Sequence, residues 1–117
     1  MATHNDFGKQ AEEAAEQYLI EKGYLIQAKN FIFGKGEIDL ITMKNNWLVF
    51  VEVRARSDIQ YGFPEQTISK AKASLIVKTA EQYVYKINWN GKIRFDIIAI
   101  TAQDDAMNIE HFEDVFF

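Results

Sequence analysis

Two short strand-like segments carry acidic residues at positions where such strands normally bury apolar side chains. The first is Gly36-Glu37-Ile38-Asp39-Leu40-Ile41 and the second is Phe50-Val51-Glu52-Val53-Arg54. A carboxylate in a buried strand is costly unless a cation, a proton or a hydrogen-bond donor compensates it. These acids are therefore the first candidates for chemistry.

A polar stretch between the two segments predicts that they pair as a hairpin. Asn45-Asn46 suits a two-residue turn, because asparagine tolerates the positive φ that such turns require. A turn at these residues places Asp39 directly opposite Glu52, where like charges repel. Converging carboxylates suit Mg²⁺ or Mn²⁺, which prefer carboxylate and water ligands. The pattern therefore predicts a divalent-cation site at Asp39 and Glu52.

Alternation of side chains along the two strands adds two charged residues to this pair. Glu52 and Arg54 share a face of the second strand, and Glu37, Asp39 and Ile41 share a face of the first. The same turn then places Glu37 opposite Arg54. Glu37 is interpreted either as a structural ion-pair partner of Arg54 or as a third carboxylate of the site.

Two predicted helices and a later strand supply further charged candidates. Glu12, in the helix Phe7 to Lys22, lies at the rim of the apolar arc, where it either reaches over the sheet or is solvated. Lys72, in the helix Ile68 to Tyr85, lies on the apolar side, so its ammonium either extends to solvent or meets an anion. Asp96 is interpreted as structural, bonding amides of a turn or helix end.

Composition sets the class of protein. A length of 117 residues, of which 48% are hydrophobic, predicts one domain covering 1–117 with a real core. The chain has no cysteine and its polar N-terminus is not a secretory signal, which fits a cytoplasmic protein. No apolar run is long enough to span a bilayer. A net charge of −4 counts against a broad basic surface, and two histidines far apart argue against a histidine metal site.

The spacing of apolar residues along the chain, helical in some segments and strand-like in others, predicts the order α, β, β, β, α, β, β. This order predicts one mixed sheet with a helix on each face. The predicted elements after the first helix are a strand-like stretch Tyr24 to Phe33, the hairpin Glu37 to Met43 and Trp47 to Arg56, a loop Ser57 to Pro64, the second helix, a strand Ile93 to Thr101, a polar loop Gln103 to Met107, and a last strand or tail Asn108 to Phe117.

An acid, a strand hairpin and then Glu-x-Arg together resemble the PD-(D/E)XK nuclease core. The chain is more closely similar to the YraN-like family of bacterial proteins, expected to be endonuclease-like and akin to archaeal Holliday-junction resolvases. The resemblance covers nearly the whole chain. It runs through Ala11-Glu12, Tyr18-Leu19, Lys22-Gly23-Tyr24, Asn30, the two acidic segments, Arg56, Lys72 and Arg94-Phe95-Asp96.

The resemblance implies a restriction-endonuclease-like α/β sandwich and a metal-dependent endonuclease acting on structured or damaged DNA. Asp39 and Glu52 match the metal-binding acids, Glu12 matches a supporting helix glutamate, and Arg54 matches the third core residue. Arg54, Arg56 and Lys72 are then expected to contact nucleic-acid phosphates. Resolvases of this fold commonly dimerise to cut two strands, so a homodimer is also implied.

Three positions depart from the pattern of the resembled families. Arg54 stands where the superfamily usually has lysine, and arginine stays protonated, so it cannot act as a general base. It can still orient a phosphate and stabilise transition-state charge. Ala11 replaces a usual glycine, and Ile32 stands where a basic residue is common. Two alternatives therefore remain beside the nuclease: a non-catalytic nucleic-acid-binding protein on the same fold, and a protein–protein adaptor.

Overall fold

The computed structural model describes residues 4–56, 68–103 and 106–116, without the side chains of 4–6, 56 and 103. The loop predicted at Ser57 to Pro64 lies outside these ranges. The order α-β-β-β-α-β-β confirms the predicted α/β fold, with element ends shifted by a few residues. The elements are α1 (His4–Glu21), β1 (Leu25–Phe33), β2 (Gly36–Lys44), β3 (Trp47–Arg56), α2 (Lys70–Ile87), β4 (Lys92–Gln103) and β5 (Ala106–Phe112).

The five strands form one mixed sheet in the order β1-β2-β3-β4-β5. β3 and β4 are parallel, and the other neighbouring pairs are antiparallel. Parallel neighbours need a long crossover, and α2 provides it between β3 and β4. Within the described ranges, neither helix is long and apolar enough to cross a membrane.

Each face of the sheet is covered by one helix, as the sequence predicts. On one face α1 contributes Ala11, Ala15 and Leu19 to a core with Leu40, Val49, Val51, Ile98 and Ile100. On the other face α2 contributes Ile76, Ala80 and Tyr83 to a core with Ile38, Ile41, Leu48, Phe50 and Phe95. Alternation along β3 produces this division, because Val49 and Val51 face α1 while Leu48 and Phe50 face α2.

The hairpin of β2 and β3 has the predicted register. Asn45 and Asn46 both have positive φ, 52° and 66°, and Lys44 pairs with Trp47 across the turn. These are the φ signs of a two-residue type I′ turn, whose twist matches that of the flanking strands. The ladder runs to the pair Leu40 and Val51, and the same register places Asp39 opposite Glu52.

Besides the register shift between Ile26 and Ala28, side-chain alternation fails further along the pairing of β1 with β2. Lys29 pairs with Leu40 and Phe31 pairs with Ile38, yet Leu40 packs toward α1 while Ile38 and Phe31 pack toward α2. Asn30, between Lys29 and Phe31, has a φ of 52°, and this left-handed conformation breaks the regular pleat. The expectation that Glu37, Asp39 and Ile41 share a face is therefore wrong, and Asp39 lies at the break.

Replacing Gly36 by alanine is expected to lower the free energy of unfolding by about 1–3 kcal/mol, because the added methyl overpacks the contact between β2 and α2. Its Cβ would clash with Thr79 Oγ1 and lie 3.3 Å from Leu75 Cγ. Gly8→Ala is the matched control, since a Cβ at Gly8 meets nothing within 4 Å. Urea unfolding measures both variants, and a Gly36→Ala midpoint equal to that of wild type would contradict the packing argument.

Candidate functional site

Asp39 is fixed in place by the backbone of the neighbouring strand. Its Oδ2 accepts a hydrogen bond of 2.8 Å from the Val53 amide, just beyond the last Leu40–Val51 ladder pair. The side chain thus takes the place of a strand carbonyl where the two strands stop pairing. This bond satisfies a backbone donor and holds the carboxylate against β3.

Glu52 projects from β3 toward α2, on the same face as Phe50. Its side chain is only 13% exposed, and a small cavity beside it is lined by the apolar residues Ile38, Ile76 and Phe95. Burial, repulsion by Asp39 and a hydrogen bond between the two carboxyl groups raise the pKa of Glu52 to about 8. The predicted facing pair is therefore a pair in contact, which binds a proton more tightly than an ordinary glutamate.

Two cations lie beside the acid pair and partly offset its charge. Lys72 Nζ lies 3.8 Å from Glu52 Oε2 while the Lys72 side chain is 44% exposed, so the ammonium both reaches solvent and contacts a carboxyl group of the site. The charges of Lys72 and Arg54 both lower the pKa of Glu52, against the larger effects that raise it. Arg54 Nε is buried and has no hydrogen-bond partner within the described part of the chain. Among the ion pairs of the described residues, none joins Glu37 to Arg54.

Glu12 lies on the opposite side of the sheet from Glu52. Its Oε1 accepts a hydrogen bond of 3.3 Å from Asn30 Nδ2, at the position where alternation fails. Burial and the charges of Asp39 and Glu37 raise the pKa of Glu12, whereas Glu12 is not among the causes that shift Glu52. Asp39 is therefore the acid that links the two faces, close to Glu12 on one side and to Glu52 on the other.

The donor set suits a cation that keeps much of its hydration. Across residues 4–56, 68–103 and 106–116, no group of three or more His, Cys, Asp or Glu side chains converges as a ready-made metal site. Asp39 and Glu52 would supply two carboxylate ligands, and Mg²⁺ commonly binds through one or two carboxylates with water and substrate phosphate completing its shell. The pair thus fits such an ion, whereas Glu12 lies close to Asp39 but not to Glu52. The side chain of Arg56 lies outside the described residues.

A second polar cluster is buried on the α1 face, and it is structural as expected for Asp96. Arg94 Nε and Nη2 each donate to the Asp96 carboxylate at 2.8 Å, and the Asp114 amide donates at 3.0 Å. His111 Nε2 lies 2.7 Å from Asp96 Oδ2, and Arg94 also donates to Tyr24 Oη. Asp96 thus binds side chains of β4 and β5 and one backbone amide beyond the end of β5, rather than the amides of a helix end.

The sequence predicts no contact for Asn30 or His111. In the structure Asn30 donates a hydrogen bond to Glu12, and His111 contacts Asp96. A signal for Asn30 exists, because an asparagine inside a strand-like run is a frequent site of left-handed φ. His111 lies fifteen residues beyond Asp96 and on a different strand, and no local spacing indicates that they meet. Only the β4–β5 register, which pairs His111 with Ile98, brings its ring to the cluster.

Replacing Glu52 by glutamine is expected to stabilise the metal-free protein at alkaline pH. The pKa of Glu52 is about 8 in the folded state and about 4.3 in an unfolded chain. Between these two values the folded state keeps a proton that the unfolded chain has released. The free energy of unfolding of wild type therefore falls as pH rises, and the full destabilisation by ionised Glu52 is present above the folded pKa.

Thermal unfolding near pH ~5 and pH ~9 measures the difference, which should grow with pH. Glu81→Gln, at an exposed position of α2, is the control and should follow wild type. If wild type and Glu52→Gln lose the same stability between the two conditions, the buried-acid assignment is wrong.

Comparison with known proteins gives a consistent result. The family model described as "Uncharacterised protein family UPF0102" matches residues 11–100. A UPF0102 protein of Flavobacterium psychrophilum is 45% identical over 117 residues, covering 100% of this chain and 98% of that protein. One from Cytophaga hutchinsonii is 46% identical over 101 residues, 86% of this chain and 89% of that protein. One from Carboxydothermus hydrogenoformans is 36% identical over 111 residues, 94% of each chain.

Proposed function

The chain belongs to the UPF0102 family, and from the carboxylate pair at its hairpin we propose that it is a metal-dependent nuclease. Its reaction is hydrolysis of phosphodiester bonds in structured or damaged DNA, with Mg²⁺ or Mn²⁺ as the cofactor. Family membership agrees with the YraN-like resemblance of the sequence. It names no activity, so the proposal rests on the site itself.

The observation that carries the proposal is the contact between the Asp39 and Glu52 carboxyl groups. Two acids in contact and largely out of water destabilise the fold when both are ionised. A divalent cation between them removes that repulsion and supplies the charge that the site lacks. The cost of the arrangement therefore supports a role that needs a cation.

Each residue of the site has a defined part in the proposed reaction. Asp39 and Glu52 hold the metal, which when bound supplies an activated water and neutralises charge on the scissile phosphate. Arg54, which lies on the same face of β3 as Glu52, donates to that phosphate. Lys72 contacts a phosphate oxygen from the start of α2. Arg56 contacts the nucleic-acid backbone, and Glu12 supports the metal site.

A non-catalytic nucleic-acid-binding protein is the second candidate, and the arginine at position 54 favours it. Arginine stays protonated and cannot accept a proton from water, so this chain lacks the lysine that the superfamily usually places there. Arg54 and Lys72 would then hold a phosphate backbone while Asp39 and Glu52 remain structural. The two candidates differ in whether a bound strand is cut.

The test is cleavage of branched, flapped and linear DNA by the purified chain in Mg²⁺, in Mn²⁺ and in a chelator. We expect cleavage of a branched or flapped substrate that needs the metal and is lost in Glu52→Ala. DNA binding without cleavage, equal in wild type and Glu52→Ala, would support the second candidate. No cleavage of any substrate, together with no metal-induced rise in Tm, would refute the nuclease.

A further inference from the structure

Lys72 is the cation in closest described contact with the acid pair. Its Nζ lies 3.8 Å from Glu52 Oε2, and its side chain is 44% exposed while that of Glu52 is 13% exposed. The ammonium thus reaches from solvent into the edge of a buried site. A divalent ion bound by Glu52 and Asp39 would have to share this carboxylate with the ammonium.

The position of Lys72 in its helix is unfavourable without such an anion. Ser69 caps α2, and its hydroxyl oxygen accepts a hydrogen bond from the Lys72 amide at 3.0 Å. Lys72 therefore lies in the first turn, at the positive end of the helix dipole, where a cation is destabilising. No acidic residue lies in that turn. Among the described residues, Glu52 offsets this cost when its carboxyl group is ionised.

Two cations cannot both stay at a single carboxylate without repelling each other. The backbone of Lys72 is fixed by the Ser69 cap, but its four-carbon side chain is half exposed and can swing outward. Outward from Glu52 the ammonium returns to solvent, where it can meet a substrate phosphate. The same residue can therefore hold the acid pair in one state and a phosphate in the other.

We propose that Lys72 occupies the cation position of the Asp39–Glu52 pair in the metal-free protein and leaves it when the metal binds. The inference rests on the proposed function and adds to it the regulation of the same site. Metal binding releases the ammonium for the substrate phosphate, so the site becomes competent for substrate only when it is loaded. Lys72 is thus a positioning residue that opposes the metal and assists the substrate.

The experiment measures Mn²⁺ affinity of the full chain by titration, in wild type, Lys72→Met and Lys72→Arg. Methionine keeps the length of the stem and removes the charge, so its Kd for Mn²⁺ should fall roughly three- to fivefold. Arginine keeps the charge and should stay within about twofold of wild type. Lys78→Met, at an exposed position of the same helix, is the control and should match wild type.

Cleavage should change in the opposite direction, because Lys72→Met has lost a phosphate contact. A Lys72→Met variant that binds Mn²⁺ as wild type does, or more weakly, overturns the exchange and leaves the nuclease proposal standing. Absence of Mn²⁺ binding by wild type, with no cleavage, overturns both. Tighter Mn²⁺ binding with weaker cleavage supports the exchange.

Discussion

Asp96→Asn is expected to lower the free energy of unfolding at pH 7 by about 3 kcal/mol, because it removes the buried carboxylate that accepts the hydrogen bonds of Arg94 and leaves an amide group among their donors. The Asp96 side chain is 0% exposed and receives two bonds of 2.8 Å from Arg94. Asparagine keeps one acceptor and turns an amide group toward the donors of Arg94, His111 or Asp114. Urea unfolding followed by circular dichroism measures the loss.

The matched control removes the other carboxylate that contacts the same guanidinium. Glu113 Oε1 lies 3.2 Å from Arg94 Nη1, but its side chain is 59% exposed. Glu113→Gln should therefore change stability by less than about 1 kcal/mol. An equal loss of unfolding free energy in Asp96→Asn and Glu113→Gln would show that burial does not determine how much Asp96 contributes to stability.

The effect of Asp96 also has a defined pH dependence. Burial alone would raise the pKa of Asp96, but hydrogen bonds from His111, Arg94 and the Asp114 amide outweigh burial and lower it. Its stabilisation is therefore present above the pKa of an unfolded aspartate, about 3.9, and is lost as pH falls through the lower folded pKa. The difference between wild type and Asp96→Asn should shrink in strong acid.

Asp39→Asn is expected to lower the rate of metal-dependent DNA cleavage by about 10³-fold or more. Loss of a ligand removes metal-derived stabilisation of the transition state, which amounts to several kcal/mol, and each ~1.4 kcal/mol corresponds to a factor of ten in rate. The reduced charge should also weaken metal binding. Single-turnover cleavage of the branched or flapped substrate measures the rate.

Asparagine at position 39 makes this a test of charge rather than of folding. The 2.8 Å bond from the Val53 amide needs only an oxygen acceptor, and the asparagine carbonyl provides one. The variant should unfold close to the wild-type temperature and lose cleavage. Glu81→Gln removes an exposed acid of α2 and should leave the rate unchanged. Retained cleavage in folded Asp39→Asn would exclude this residue as a metal ligand.

The hairpin is the part of the site that the sequence predicts well. Asn45 and Asn46 fix the turn through their own conformational preference, and the turn fixes the register that brings Asp39 to Glu52. Period two along β3 then places Glu52 toward α2. Each step depends only on residues close together in the chain, so it can be predicted from a single sequence.

The parts that were not predicted depend on contacts between distant segments. The strands break their regular alternation of side chains at Asn30 and Asp39, and Glu37 forms no ion pair with Arg54 among the described residues. Glu12 accepts a hydrogen bond from Asn30 instead of contacting Glu52. The Asp96 cluster depends likewise on the β4–β5 register. Asn30 carries a local signal for left-handed φ, but no spacing in the sequence reveals which contacts either feature makes.

The most direct test of the metal-site claim is a Mn²⁺ titration of the purified chain, followed by calorimetry or electron paramagnetic resonance. Wild type should bind Mn²⁺ at the acid pair, and both Asp39→Asn and Glu52→Gln should lose that binding while remaining folded. Glu12→Gln should weaken it only modestly, because Glu12 lies on the far side of Asp39. Wild-type affinity in Asp39→Asn and Glu52→Gln, or no binding by wild type, would contradict the assignment of this pair as the metal site.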